Sequence, residues 1–149
     1  MNIPKKTINN STLLTDAINK KPFKGKGVED WLSRLRREYQ SVIDEMRQLS
    51  DSSKKLSSLP WYLFRHQRKD LNTQYCNGQY YLVWRSYGTK AYTLKWEKVQ
   101  PYLNNISVEQ RSWVLEAQEQ VLLLNARELT LRFCINRAEK CAEAIESLG

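Results

Sequence analysis

From Ser107 to Leu148 the chain contains neither proline nor glycine, and no other feature constrains the fold as strongly. Ser107 has the chemistry of an N-cap, and Gln110, three positions on, completes a capping box. Nothing stops a helix before Ser147 or Gly149, which predicts one of about 40 residues, roughly 60 Å long. In a chain of 149 residues such a helix must be the spine. Its middle, Val121 to Ile135, carries apolar residues on more than one face, as expected of a central helix contacted from both sides.

A second long helix is predicted from about Val28 to Leu49. Val28, Leu32, Leu35, Tyr39, Val42, Met46 and Leu49 alternate three and four apart, with Trp31 and Ile43 beside the stripe, the pattern of a helix packed lengthwise on another. Glu29 and Asp30 suit the positive end of its dipole. Ser50-Asp51-Ser52-Ser53 weakens it, although it could run on to Lys55 or Leu56.

Between the two, Pro60 interrupts and Trp61-Tyr62-Leu63-Phe64 forms an apolar cluster that must dock. Leu71 to Gly78 has loop character, ending in the turn dipeptide Asn77-Gly78. Gln79–Tyr87 is rich in aromatic and β-branched residues, Gly88-Thr89 turns, and Lys90–Trp96 returns, which predicts a hairpin. Alternation puts Tyr80, Leu82 and Trp84 on one face and Tyr81, Val83, Arg85 and Tyr87 on the other. Leu82 and Trp84 are expected to pin the hairpin to the core. A short helix is expected at Glu97–Leu103. Upstream, a short helix capped by Ser11 is expected over Thr12–Asn19, with Lys20-Lys21-Pro22-Phe23-Lys24-Gly25-Lys26-Gly27 expected to break it.

The expected fold is mainly α, with two long antiparallel helices and a small two-stranded β-hairpin and short helices packed across them. Residues 1–27 form a basic arm with the short helix. Residues 28–149 form one helical domain with the hairpin inserted at about 79–96.

Composition narrows the function classes. Hydrophobic residues make up 41% of the chain, enough for a core, and no aliphatic run approaches the roughly 20 residues that span a bilayer. Without an apolar leader after Met1, a cytoplasmic location is expected. Cys76, Cys134 and Cys141 form no CxxC pair; seven residues apart on a helix, Cys134 and Cys141 are too distant for a disulfide and are expected as small core residues. His66 is the one histidine, and it lies in the basic stretch Arg65–Lys69, where a solvated or backbone-bonded role is expected. One histidine and no paired cysteines give a metal site or a catalytic triad little to use. No cofactor, no metal and no enzymatic activity are expected.

Charge is unevenly placed. Residues 1–27 hold six lysines against one aspartate, a net of +5, and residues 54–106 hold nine basic residues against two acids, a net of +7. The long helical segments are each at −2, with four basic residues against six acids over 28–53 and five against seven over 107–149. Arg34, Arg36 and Arg37 are expected to pair with Glu38 and Asp30 on the surface. The basic segments also carry aromatics, and cations that neutralise phosphates beside rings that stack on bases are what nucleic-acid binding needs. Lys21, Lys24, Lys26, Arg65, Arg68, Lys69, Arg85, Lys90 and Lys95 are the expected phosphate contacts, with Phe23 and Tyr87 as stacking residues. The expected partners are single- or double-stranded DNA, with room for a replication or regulatory protein and for a homodimer, and no membrane is expected.

The stretch Lys21–Gly27 opening a long helix, then Tyr81-Leu82-Val83-Trp84-Arg85 and a long leucine-rich final helix, resembles a family of bacterial integrating conjugative elements labelled integrase regulator R or primosomal PriB/PriC-like. The resemblance covers roughly residues 13–147. It implies a part in the replication, maintenance or transfer of a mobile element, and it brings no established active site. Where relatives carry a basic residue before Trp-Arg, this chain carries Val83, so its hairpin is one charge poorer. The function expected is a non-enzymatic nucleic-acid-binding accessory or regulatory protein. The alternative is an adaptor that meets another protein through a helix surface or its basic face.

Overall fold

The computed structural model describes residues 26–56, 58–68 and 78–149. Its elements are α1 (Lys26–Lys54), β1 (Trp61–Gln67), β2 (Tyr80–Ser86), β3 (Thr93–Leu94), α2 (Trp96–Val99), a 3-10 turn (Gln100–Asn105) and α3 (Val108–Glu146). The fold is mainly helical, with a small antiparallel sheet in the order β1-β2-β3. The short helix expected at Thr12–Asn19 and most of the arm lie outside the described residues.

The two long helices form where their stripes and caps place them. Ser107 Oγ accepts from the Gln110 N–H at 3.1 Å, and Gln110 Oε1 accepts from the Ser107 N–H at 3.2 Å, so the capping box is complete. Arg36 pairs with Glu139 and Arg127 with Glu45, which fixes α1 and α3 antiparallel. Arg36 thus reaches across to the other long helix instead of pairing with Glu38 or Asp30. Exposed pairs of this kind add little stability; the apolar seam of Val42, Ile43, Met46, Val114, Ala117, Val121 and Leu124 supplies the core between the helices.

The sheet differs from the expected hairpin. The main partner of β2 is β1, in the register Leu63↔Trp84 and Arg65↔Leu82, while the returning strand pairs only at Trp84↔Leu94 and Arg85↔Thr93. The cluster Trp61–Phe64 is therefore a strand, and the sheet has three strands. Alternation is hidden in it because both of its faces are apolar. Trp61 and Leu63 are buried in the core, while Tyr62 and Phe64 are half-buried on the outer face. The expected faces of β2 hold: Leu82 and Trp84 are each 2% exposed. Gly88 turns the chain toward β3 with φ +120°, a conformation that residues with a Cβ rarely adopt.

Helix side chains finish the sheet's edges. On the outer edge of β1, Ser50 Oγ donates to the Leu63 carbonyl at 2.7 Å and Ser53 Oγ accepts the Leu63 N–H at 2.9 Å. Where β2 runs past the short β3, Asn125 of α3 accepts the Leu82 N–H at 2.8 Å and donates to the Leu82 carbonyl at 3.1 Å. One asparagine thus does the work of a neighbouring strand for that peptide. Ser50 and Ser53 do not weaken α1: the helix continues to Lys54 because their hydroxyls are used by β1.

Candidate nucleic-acid interface

The sheet's inner face is packed on α1 and α3, and its outer face carries rings and cations. Tyr62, Phe64 and His66 from β1 share that face with Tyr81, Val83 and Arg85 from β2, and Tyr87 follows just beyond the strand. Diagonal and directly opposed neighbours on two antiparallel strands lie within reach of long side chains. Tyr62 and Tyr87 accordingly meet with ring centroids 4.7 Å apart, and His66 and Tyr81 at 5.2 Å. The Arg85 guanidinium lies 4.5 Å from the Phe64 ring centre, and Lys54 at the end of α1 approaches Tyr62 at 5.6 Å. Arg85 has no carboxylate partner among the described residues. A cleft of about 360 Å³ opens here, lined by Lys54, Tyr62, Phe64, Ser86, Tyr87, Gly88 and Ala91.

Across the β2–β3 turn lies a second cleft of about 660 Å³, where Tyr92, Lys95, Lys98 and Tyr102 surround Pro60 and the edge of Trp61. Tyr92 and Tyr102 are exposed, and the Trp61 indole N–H has no partner among the described residues. Ser86 lines both clefts, and Lys90 in the turn between β2 and β3 is exposed.

The expected contact residues are thus distributed unevenly. Arg85 and Tyr87 come together on the outer face, Lys90 lies on the adjoining turn and Lys95 in the second cleft. Arg65 and exposed Arg68 lie at the far end of β1, and the Arg65 guanidinium covers Tyr80 at 5.0 Å on the opposite side of the sheet. Lys26 is the first residue of α1. Lys21, Phe23, Lys24 and Lys69 lie outside the described residues, so their relation to this face is not part of the site. Sequence reasoning put Tyr81 on this face without naming it as a contact; it missed that Tyr62 and Phe64 share the face, and it missed Lys98, Tyr92 and Tyr102 in the cleft. Recognition of Trp61–Gln67 as a strand would have found the first group, since period two places Tyr62 and Phe64 beside Arg85.

The most buried charge lies elsewhere. Glu128 of α3 is fully buried and accepts from the Tyr80 N–H at 2.7 Å, the Tyr39 hydroxyl at 3.1 Å and Arg132 Nε at 3.2 Å. No cleft described above reaches it, and it acts as a joint between α1, β2 and α3. Burial and the Glu128 carboxylate push the Tyr39 hydroxyl well above the usual phenol range. His66 is exposed at the end of β1. Cys134 is half-buried and Cys141 exposed, both free thiols, so Cys141 is not the core residue that its spacing suggested. In this half of α3 the buried residues are Glu128 and Ala138. Among the described residues no group of three His, Cys, Asp or Glu gathers to hold a metal, and no helix is long and apolar enough to cross a membrane. Comparison with protein-family models, curated proteins and solved structures gave no match.

Proposed function

We propose that the protein is a non-enzymatic nucleic-acid-binding accessory protein, of the kind a mobile genetic element uses in replication, maintenance or transfer, and that it takes single strands across the outer face of its sheet. The observation that carries this reading is the pairing of rings with cations on that face, above all Arg85 on Phe64 and the Tyr62–Tyr87 pair. Unpaired bases stack on aromatic faces irrespective of sequence, and lysines and arginines beside the rings neutralise the phosphates. A rigid duplex offers its bases no such access, so single strands are the better fit. The surplus of basic residues over 54–106 supports the reading further. The mobile-element setting rests on the sequence resemblance alone.

Fluorescence anisotropy with labelled single-stranded and duplex oligonucleotides at two salt concentrations tests it. Micromolar binding of single strands, weakening steeply with salt, is expected. Tyr87→Ala, at an exposed ring, should weaken that binding about tenfold. No binding at low salt would overturn the proposal, and the adaptor alternative, which has the exposed leucines of α3 in its favour, would become the better reading.

A further inference from the structure

The inner face of α3 is buried against α1 and β2, but among the described residues nothing covers its second apolar face. Leu115, Leu122 and Leu129 recur every seven residues and are 49%, 63% and 48% exposed. Phe133, four residues further on, is 55% exposed, and exposed Ala126 lies between Leu122 and Leu129. Alternating steps of four and three keep these side chains in one stripe along the helix, the spacing of a helix-packing seam. Together they leave on the order of 500 Å² of apolar surface in water, at the upper end of what a monomer's largest patch usually exposes.

We infer that this stripe is the contact of a two-fold symmetric homodimer, in which the α3 helices of two protomers pack antiparallel about residue 124. Such a contact must be self-complementary, and the stripe is. With that axis, Leu115 packs on Phe133 of the partner subunit, Leu122 enters the space beside Ala126 of the partner subunit, and Leu129 lies level with the aliphatic stem of Glu119 of the partner subunit. Charge selects the direction. Exposed Glu116 and Glu119 flank the N-terminal half of the stripe, and exposed Arg137 and Lys140 continue its C-terminal end. An antiparallel pair brings Glu116 within reach of Arg137 of the partner subunit, with Glu119 at the rim. A parallel pair would set Glu119 against Glu119 of the partner subunit and Lys140 against its like. Counted on both protomers, the stripe comes to about the 1,000 Å² that a specific interface needs. The inference is independent of nucleic-acid binding.

Sedimentation equilibrium of the full chain from low micromolar to about 200 μM tests it. A reversible dimer is expected. Leu122→Glu should weaken it on the order of 100-fold or more, because the lost burial and the added charge enter twice. Leu122 is exposed in the protomer, so at concentrations where the wild type is monomeric the variant should keep its thermal melt; Leu129→Glu gives a second reading of the same contact. A wild-type monomer throughout this range overturns the inference, and would leave the stripe to residues 1–25 or to another protein. Orientation is read by cross-linking after the native cysteines are changed to serine. Leu123→Cys, beside the axis, should cross-link to itself, whereas self-cross-linking of Glu116→Cys would exclude the antiparallel arrangement.

Discussion

Glu128 joins three elements through one carboxylate. Its two oxygens take a tyrosine hydroxyl from α1, a backbone N–H from β2 and an arginine one turn along α3. Loss of the carboxylate would take the acceptor from the Tyr80 amide and the Tyr39 hydroxyl and one bond from Arg132, so Glu128→Ala should cost about 3–5 kcal/mol, measured by urea denaturation. Tyr39 supplies a pH signature. Its hydroxyl holds its proton in the native state to higher pH than the ordinary value of 10.0 that the unfolded chain should have. That stabilisation is present below pH 10 and is lost as the pH rises through the raised native value. Tyr39→Phe should therefore be about 1 kcal/mol less stable at neutral pH, with the gap to wild type narrowing above pH 10; urea midpoints from pH 8 to 11 measure both. Nothing in local sequence marks this joint. Glu128 resembles the other acids of its helix, and Tyr39 is 89 residues away.

At the scale of elements, local signals were legible and long-range ones were not. The Ser107 capping box and the three-four stripe of α1 lie within a few residues, and both helices formed where those signals put them. The pairing of β1 with β2 depends on which faces get buried, and the unbroken apolar run Trp61–Phe64 conceals a period of two. The expected return strand was too long because Lys90–Trp96 has the right composition, whereas Asn125 already satisfies the Leu82 peptide that a longer β3 would have met. That substitution of a side chain for a strand is testable. Asn125→Ala leaves a buried N–H and carbonyl without partners and should cost about 2–3 kcal/mol. Amide hydrogen exchange should show the Leu82 N–H losing protection more than the Leu63 N–H, which Ser53 still holds.

Over the whole molecule, net charge divides by segment. Most of the described basic residues of 54–106 lie on the sheet, its turn and the second cleft, while the long helical segments are each net acidic and the exposed apolar stripe runs along α3. The segment charges were legible because they require only element boundaries. The outer ring-and-cation face was half legible: Arg85 and Tyr87 could be named from β2 alone, but their partners Phe64 and Tyr62 come from a strand that sequence did not reveal. The second apolar face of α3 was also visible in sequence; α1 and β2 both pack on the helix, and among the described residues neither covers that second face.

The way the sheet's edges end has a consequence for how the molecule comes apart. Lifting α1 strips the Leu63 peptide of both partners, and lifting α3 strips Leu82, Tyr80 and the Trp84 indole, which donates to Gln118 at 2.8 Å. Partial opening thus gives up these bonds and the burial beneath them before it gains much chain freedom. Helices and sheet are therefore expected to open together, since a small sheet parted from the two helices that border it is marginal in water.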